Sequence, residues 1–131
     1  ANYYYGLSLS RQEADADKLA QAESLLEKAV RLDPNLAAAY LQLGVLYSQQ
    51  GGTSEAISAY TKAIQADAQL AEAHYRLGQI YSRAGEKLKA QAELQIYEQL
   101  SKKTAEESER ERKEIQQFVY TLRQQNSAAQ P

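Results

Sequence analysis

The feature that most constrains this chain is an internal repeat. Residues Ala37–Leu70 and Ala71–Thr104 align without a gap, so the same residue types recur about 34 positions apart. The matched positions are Leu43, Gly44, Tyr47, Ser48, Gly51 and Ala56 in the first copy, and Leu77, Gly78, Tyr81, Ser82, Gly85 and Ala90 in the second. A gapless repeat of this length is typical of stacked helix pairs, because one pair cannot bury its apolar face alone.

Apolar residues inside each copy follow helical spacing. Tyr40, Leu43 and Tyr47 lie at i, i+3 and i+7, which places them on one face of a helix. The second copy repeats that spacing with His74, Leu77 and Tyr81. The glycine that follows each stripe predicts the end of the first helix of the pair. A glycine also lies inside each first helix, and its missing side chain predicts close contact with the second helix.

This arrangement resembles the tetratricopeptide-repeat (TPR) consensus. Seven of its eight signature positions are filled by Tyr40, Leu43, Gly44, Tyr47, Ala56, Tyr60 and Ala63. Ala68 replaces the usual proline, and the third unit departs at Tyr97, where a small residue is usual, and at Lys102. In the first unit only the second helix matches, through Ala22, Leu26, Ala29 and Pro34. Its first helix, with Tyr5, Gly6 and Leu9, fits only if about four residues are inserted around Ala14–Lys18.

The resemblance implies an all-α fold, a right-handed superhelix of three antiparallel helix pairs closed by a C-terminal capping helix. The expected repeats cover about residues 1–36, 37–70 and 71–104, the capping helix 105–124, and a flexible tail 125–131. Residues 1–124 would then form one TPR domain. The absence of methionine and the abrupt start at Ala1-Asn2 favour a piece of a longer chain.

Two interpretations of the C-terminal helix predict different shapes. Thr104–Glu107 reads as a capping box, which favours a break there and a helix folded back onto the third repeat. This is the interpretation that we expect. However, neither glycine nor proline occurs from Glu86 to Gln130, so one helix could run from Glu86 to about Arg123. The apolar stripe would then project into solvent and require a second copy to cover it. The stripe consists of Ile115, Phe118, Val119 and Leu122.

The composition argues against catalysis and against metal or cofactor binding in this chain. There is no cysteine and only one histidine, His74, which occupies a packing position, so we expect neither a catalytic residue nor a metal site or other cofactor. A net charge of −2 and a pI near 5.5 give no sign of nucleic-acid binding, and no apolar run is long enough to span a membrane. We therefore expect a non-enzymatic protein.

The TPR resemblance implies a concave groove, lined by the first helix of each pair, that binds a peptide or a partner helix. The groove residues that it implies are Leu41, Val45, Ser48, Gln49, Glu72, Tyr75, Arg76, Gln79 and Arg83. Leu41 and Val45 could instead pack against an adjacent helix. The alternative function is structural self-association, in which exposed apolar ends join copies into a homo-oligomer, such as a homodimer through the stripe at 115–122. The identity of a protein or peptide partner does not follow from these patterns.

Overall fold

Five helices follow one another along the chain. The structure, a computed structural model, describes the backbone of residues 2–129 and the side chains of residues 15–128. The helices are α1 (Asn2–Leu32), α2 (Ala37–Gln49), α3 (Thr53–Ala66), α4 (Ala71–Arg83) and α5 (Lys87–Ala129). Each helix packs against the next one, and the closest pairs are α2 with α3 and α4 with α5. These two pairs are the two gapless repeats, and the all-α prediction is confirmed.

The ends of α2 and α4 have the same geometry because each is followed by a glycine in a left-handed conformation. Gly51 has φ of 80° and Gly85 has φ of 81°, values that residues with a side chain rarely adopt. The amide of Gly52 donates to the carbonyl of Tyr47 at 2.8 Å, and the amide of Glu86 donates to the carbonyl of Tyr81 at 2.9 Å. These bonds satisfy carbonyls at the helix ends and reverse the chain into the second helix.

The connections between repeats are also equivalent. The Asp33 side chain accepts from the amide of Asn35 at 3.1 Å, and Asp67 accepts in the same way from Gln69 at 3.0 Å. The aspartate, and not the proline, therefore organises this turn, because Ala68 takes the place of Pro34 without changing it.

The helices of each pair approach closely at the interior glycine. A side chain built at Gly44 would place its Cβ within 3 Å of three ring atoms of Tyr60, and one built at Gly78 would place its Cβ 2.9 Å from two atoms of Leu94. Tyr60 is 1% exposed and lies at the centre of the core. The core cluster is Leu41, Ala56, Tyr60, Ala63, Ala73, Leu77 and Ile80, contributed by α2, α3 and α4.

Two predictions about the ends of the chain are wrong. The first unit is a single helix, α1, because neither glycine nor proline interrupts residues 7–33; the side chains of Tyr5, Gly6 and Leu9 lie outside the described residues. The C-terminal helix does not fold back as a cap. Instead α5 continues for 43 residues, about 64 Å at the usual rise. Thr104 lies within it, and its hydroxyl donates to the Leu100 carbonyl at 3.0 Å as an ordinary helical side chain does.

The contact between Gly44 and Tyr60 gives a stability prediction. Gly44→Leu should lower the free energy of unfolding by about 1–3 kcal/mol or more, because the new side chain must displace the buried Tyr60 ring. Urea unfolding followed by circular dichroism measures the change. Gln42→Leu is the matched control, since Gln42 is exposed on the same helix and should change stability little. Equal stability of the two variants would contradict the observed helix register.

Candidate binding surfaces

The groove residues predicted on α2 differ in exposure. Leu41 is only 4% exposed and belongs to the core cluster, so its prediction as a ligand-facing residue is wrong. The reason is that α4 packs over it. Val45 is partly buried against the same cluster, whereas Ser48 is half-buried and Gln49 is exposed. The α2 part of the predicted groove is therefore reduced to its C-terminal turn.

The predicted residues of α4 form a more open surface. Tyr75 is 40% exposed, and its ring lies 5.0 Å from that of Tyr97 on α5, tilted by 44°. The side-chain amide of Gln79 donates to the Tyr75 hydroxyl at 3.0 Å. The two aromatic rings and the amide therefore support one another on the outer side of the last helix pair, which we call the end face. It consists of Tyr75, Gln79 and Tyr97, all exposed or partly exposed.

The repeat explains why this face is open. One repeat earlier, the positions of Tyr75 and Tyr97 are occupied by Leu41 and Ala63, which are 4% and 0% exposed. Those two residues are covered because α4 packs on the α2–α3 pair, through residues such as Leu77. No described helix packs on the α4–α5 pair in the corresponding way. The end face is therefore a surface of the kind that packs against the next helix of a repeat stack, and no described helix occupies it.

Charged groups border the end face. The Arg76 guanidinium donates to Glu72 at 3.0 Å, and Arg83 is exposed at the end of the same helix. Arg76 also lies close to the Tyr60 hydroxyl. Burial raises the pKa of Tyr60 above its ordinary value of 10.0, and the charge and hydrogen bond of Arg76 oppose that rise. The border thus carries two cations, one of them already paired with a carboxylate.

His74 joins the two helices of the last pair. It is 4% exposed, as expected for a packing position. Its Nδ1 lies 2.7 Å from a carboxylate oxygen of Glu93, and its Nε2 lies 2.9 Å from the carbonyl oxygen of Ala68. The ring therefore connects the turn before α4 to α5.

A second surface was not predicted from the sequence. A cleft of about 600 Å³ opens between α1, α2 and α3, and its floor contains the repeat residues Tyr40, Leu43 and Tyr47. The remaining lining residues are Glu27, Val30, Arg31, Ser54, Glu55, Ser58, Ala59 and Lys62. A smaller cavity of about 310 Å³ adjoins it and shares Tyr40 and Lys62. From the sequence, these tyrosines were expected to pack between helices. The cleft opens because α1 and α3 are spaced apart, and no residue pattern in the sequence predicts that spacing.

Hydrogen bonds cross the edge of this cleft. The Tyr47 hydroxyl donates to the Glu27 carboxylate at 3.2 Å, and the Gln50 amide lies 3.5 Å from Glu23. Burial first, and then the hydrogen bond and charge of Glu27, raise the pKa of Tyr47 above 10.0. These bonds attach α1 to the first complete repeat.

A third exposed surface lies on the distal part of α5. Every side chain from Ser101 to Ala128 is exposed. The apolar stripe predicted from the sequence is uncovered, with 64% exposure of both Ile115 and Phe118, 39% of Val119 and 44% of Leu122. Helical geometry places these four residues on one side of α5.

Across the described part of the chain, no helix combines the length and apolarity needed to cross a membrane. Among the side chains of residues 15–128, no group of three or more histidine and carboxylate residues is arranged to hold a metal ion.

The order of helix pairs and the equivalent turns define a helical-repeat protein. Two family models match parts of the sequence. A family model described as "Tetratricopeptide repeat" matches residues 25–58, and a second, described as "TPR repeat", matches residues 49–85. Together the two models cover residues 25–85, so this part of the chain is similar to tetratricopeptide repeats. No curated protein sequence matches it significantly.

Solved structures of TPR-like proteins are similar in fold. The structure titled "Crystal structure of MamA" is 27% identical with a TM-score of 0.66, and the match covers 70% of this chain and 53% of that one. MamA from Desulfovibrio magneticus RS-1 is 24% identical with a TM-score of 0.62, covering 69% and 51%. The Yersinia enterocolitica type III secretion translocator chaperone SycD is 20% identical with a TM-score of 0.61, covering 71% and 64%. The matched region spans about half the length of the MamA chains.

The buried tyrosine gives a pH prediction. In the unfolded chain Tyr60 ionises near pH 10.0, whereas the folded chain holds its proton to higher pH. The unfolded state therefore loses its proton first, and the free energy of unfolding should fall as pH rises above about 10. Tyr60→Phe should make that fall shallower, with a remainder from Tyr47. Urea unfolding between pH 8 and 11 measures it, and the same slope in both proteins would show that Tyr60 does not contribute.

Proposed function

We propose that this chain is a non-catalytic scaffold that binds a helix or an extended peptide of another protein. The observation that supports this most directly is the end face, where Tyr75 is exposed and Tyr97 is partly exposed. Their counterparts in the preceding repeat are covered by a helix. The similarity of residues 25–85 to tetratricopeptide repeats supports the same class of function. A groove that receives an amphipathic helix is a common way for proteins to recognise peptides.

The expected ligand follows from the surface. α4 covers the preceding pair with small and branched apolar residues, among them Ala73, Leu77 and Ile80. A partner helix that occupies the end face should carry a similar apolar stripe, with aliphatic or aromatic side chains against the two tyrosines. Arg76 and Arg83 at the border favour acidic residues beside that stripe. Of the residues predicted for the groove, we retain Tyr75, Arg76, Gln79 and Arg83 as the centre, with Val45, Ser48, Gln49 and Glu72 at the margin.

Self-association remains a second candidate function, because the exposed stripe on α5 is a separate apolar surface. The two functions are compatible, since the stripe and the end face involve different parts of the chain.

Binding to the end face can be tested with helical peptides selected from a displayed library on the folded chain. Substituting both Tyr75→Ser and Tyr97→Ser should weaken the best peptide at least 100-fold, because two aromatic anchors are lost, while circular dichroism shows a folded protein. The selected peptides should contain Asp or Glu beside their apolar stripe and bind less tightly at higher salt. Fluorescence anisotropy measures both effects.

The cleft between α1 and α3 supplies the matched control. Glu55→Lys and Lys62→Glu change exposed residues that line it and should leave the affinity unchanged. Loss of binding through these variants alone would move the site to the cleft. A library that yields no binding peptide for either surface would contradict the scaffold proposal.

A further inference from the structure

The distal part of α5 carries a surface that fits a second copy of itself. Beyond Leu100 the helix leaves the repeat stack, and it continues with every side chain exposed to Ala128. The stripe of Ile115, Phe118, Val119 and Leu122 interrupts an otherwise polar helix. Its spacing of i, i+3, i+4 and i+7 matches the seam that pairs two helices in a coiled coil. The polar residues around this stripe determine which orientation of a second helix is possible.

A parallel pair places like charges together. In that orientation each residue of the seam faces its own copy. Glu111 and Arg112 lie one turn before Ile115, at the two edges of the same face of the helix. Whichever of the two is closer to the seam would meet an identical charge. Like charges in such positions disfavour a parallel pair.

An antiparallel pair places opposite charges together. If the two-fold axis passes near Gln117, Ile115 of one copy faces Val119 of the other, and Ser108 faces Asn126. The flanking residue Glu109 then comes beside Arg123 of the second copy, and the symmetry makes this contact twice. Within one copy, Arg112 donates to Glu109 at 2.6 Å. This bond holds the Glu109 carboxylate on the side of the helix from which Arg123 of the second copy approaches.

We propose that two copies of this chain pair in antiparallel orientation through residues 108–126 of α5. The paired segment is roughly 27 Å long, and its apolar part covers two helical turns. Such an interface lies near the lower limit of about 1,200 Å² for specific association. The dimer therefore forms reversibly with concentration. Because the helices run in opposite directions, the two repeat stacks lie at opposite ends of the pair, and both end faces stay open.

Sedimentation equilibrium of the whole chain at increasing concentration tests the pairing. The wild-type chain should show a monomer–dimer equilibrium. Phe118→Asp should remove the dimer and leave the monomer's thermal unfolding unchanged, since Phe118 is 64% exposed. A wild-type chain that stays monomeric at all concentrations would overturn the proposal, as would a dimer that survives Phe118→Asp.

Charge reversal tests the predicted contact. Glu109→Arg and Arg123→Glu should each raise the dissociation constant about tenfold or more, and the double variant should return it close to the wild-type value. Lys113→Glu is the control, because Lys113 lies away from the stripe and should change the constant little. A double variant that dissociates more readily than both single variants would rule out the contact.

Cysteine cross-linking determines the orientation, and the absence of native cysteine makes it specific. Ser108→Cys chains mixed with Asn126→Cys chains should form disulfides between unlike chains. Disulfides between like chains, 108 to 108 and 126 to 126, would instead establish a parallel pair and overturn the antiparallel orientation.

Discussion

Close helix approach at the interior glycines is the constraint on which the rest of the structure depends. At Gly44 the Tyr60 ring occupies the space that a side chain would need, and at Gly78 the Leu94 side chain does so. These contacts are possible because glycine has no side chain, and they bring the two helices of each pair close together. Once α2 and α3 are joined in this way, Leu41 and Ala63 form a surface that α4 can cover. The register of one pair therefore determines how the next one packs.

The same logic explains the exposed surfaces. No described unit follows the α4–α5 pair, so the residues that would receive one remain exposed. Here the last pair has two tyrosines at those positions, and His74 anchors the helices that carry them. The chain also continues as an exposed helix instead of folding back. The end face and the distal helix are thus both exposed surfaces of the last described helix pair.

The sequence was sufficient where a local signal and the repeat agreed. The period located both complete helix pairs, the glycines at 51 and 85 marked the turns, and His74 was correctly expected to be buried. The interior glycine at 44 was also correctly interpreted as a close approach. In each case one residue type has a conformational or steric property that few others share.

Where the outcome depended on neighbouring helices, the sequence was insufficient. Thr104–Glu107 has the residues of a capping box, but they form one only if Thr104 itself is non-helical and begins a new helix, and nothing there interrupts α5. Leu41 was expected to face the groove because the residues of α2 alone do not show its burial. That burial depends on how α4 packs. Tyr97 was noted as a departure from the repeat pattern, yet its role emerges only from its contact with Tyr75. The cleft against α1 depends on helix spacing alone.

A double-mutant cycle on the glycine contact tests this account most directly. Gly44→Ala in the wild-type chain should lower the free energy of unfolding, although alanine favours helix, because the methyl group meets the Tyr60 ring. In a Tyr60→Leu background the ring is gone, and the same substitution should cost much less or become stabilising. The coupling energy between the two sites should therefore be on the order of 1 kcal/mol or more. An equal effect of Gly44→Ala in both backgrounds would show that this contact does not set the helix packing.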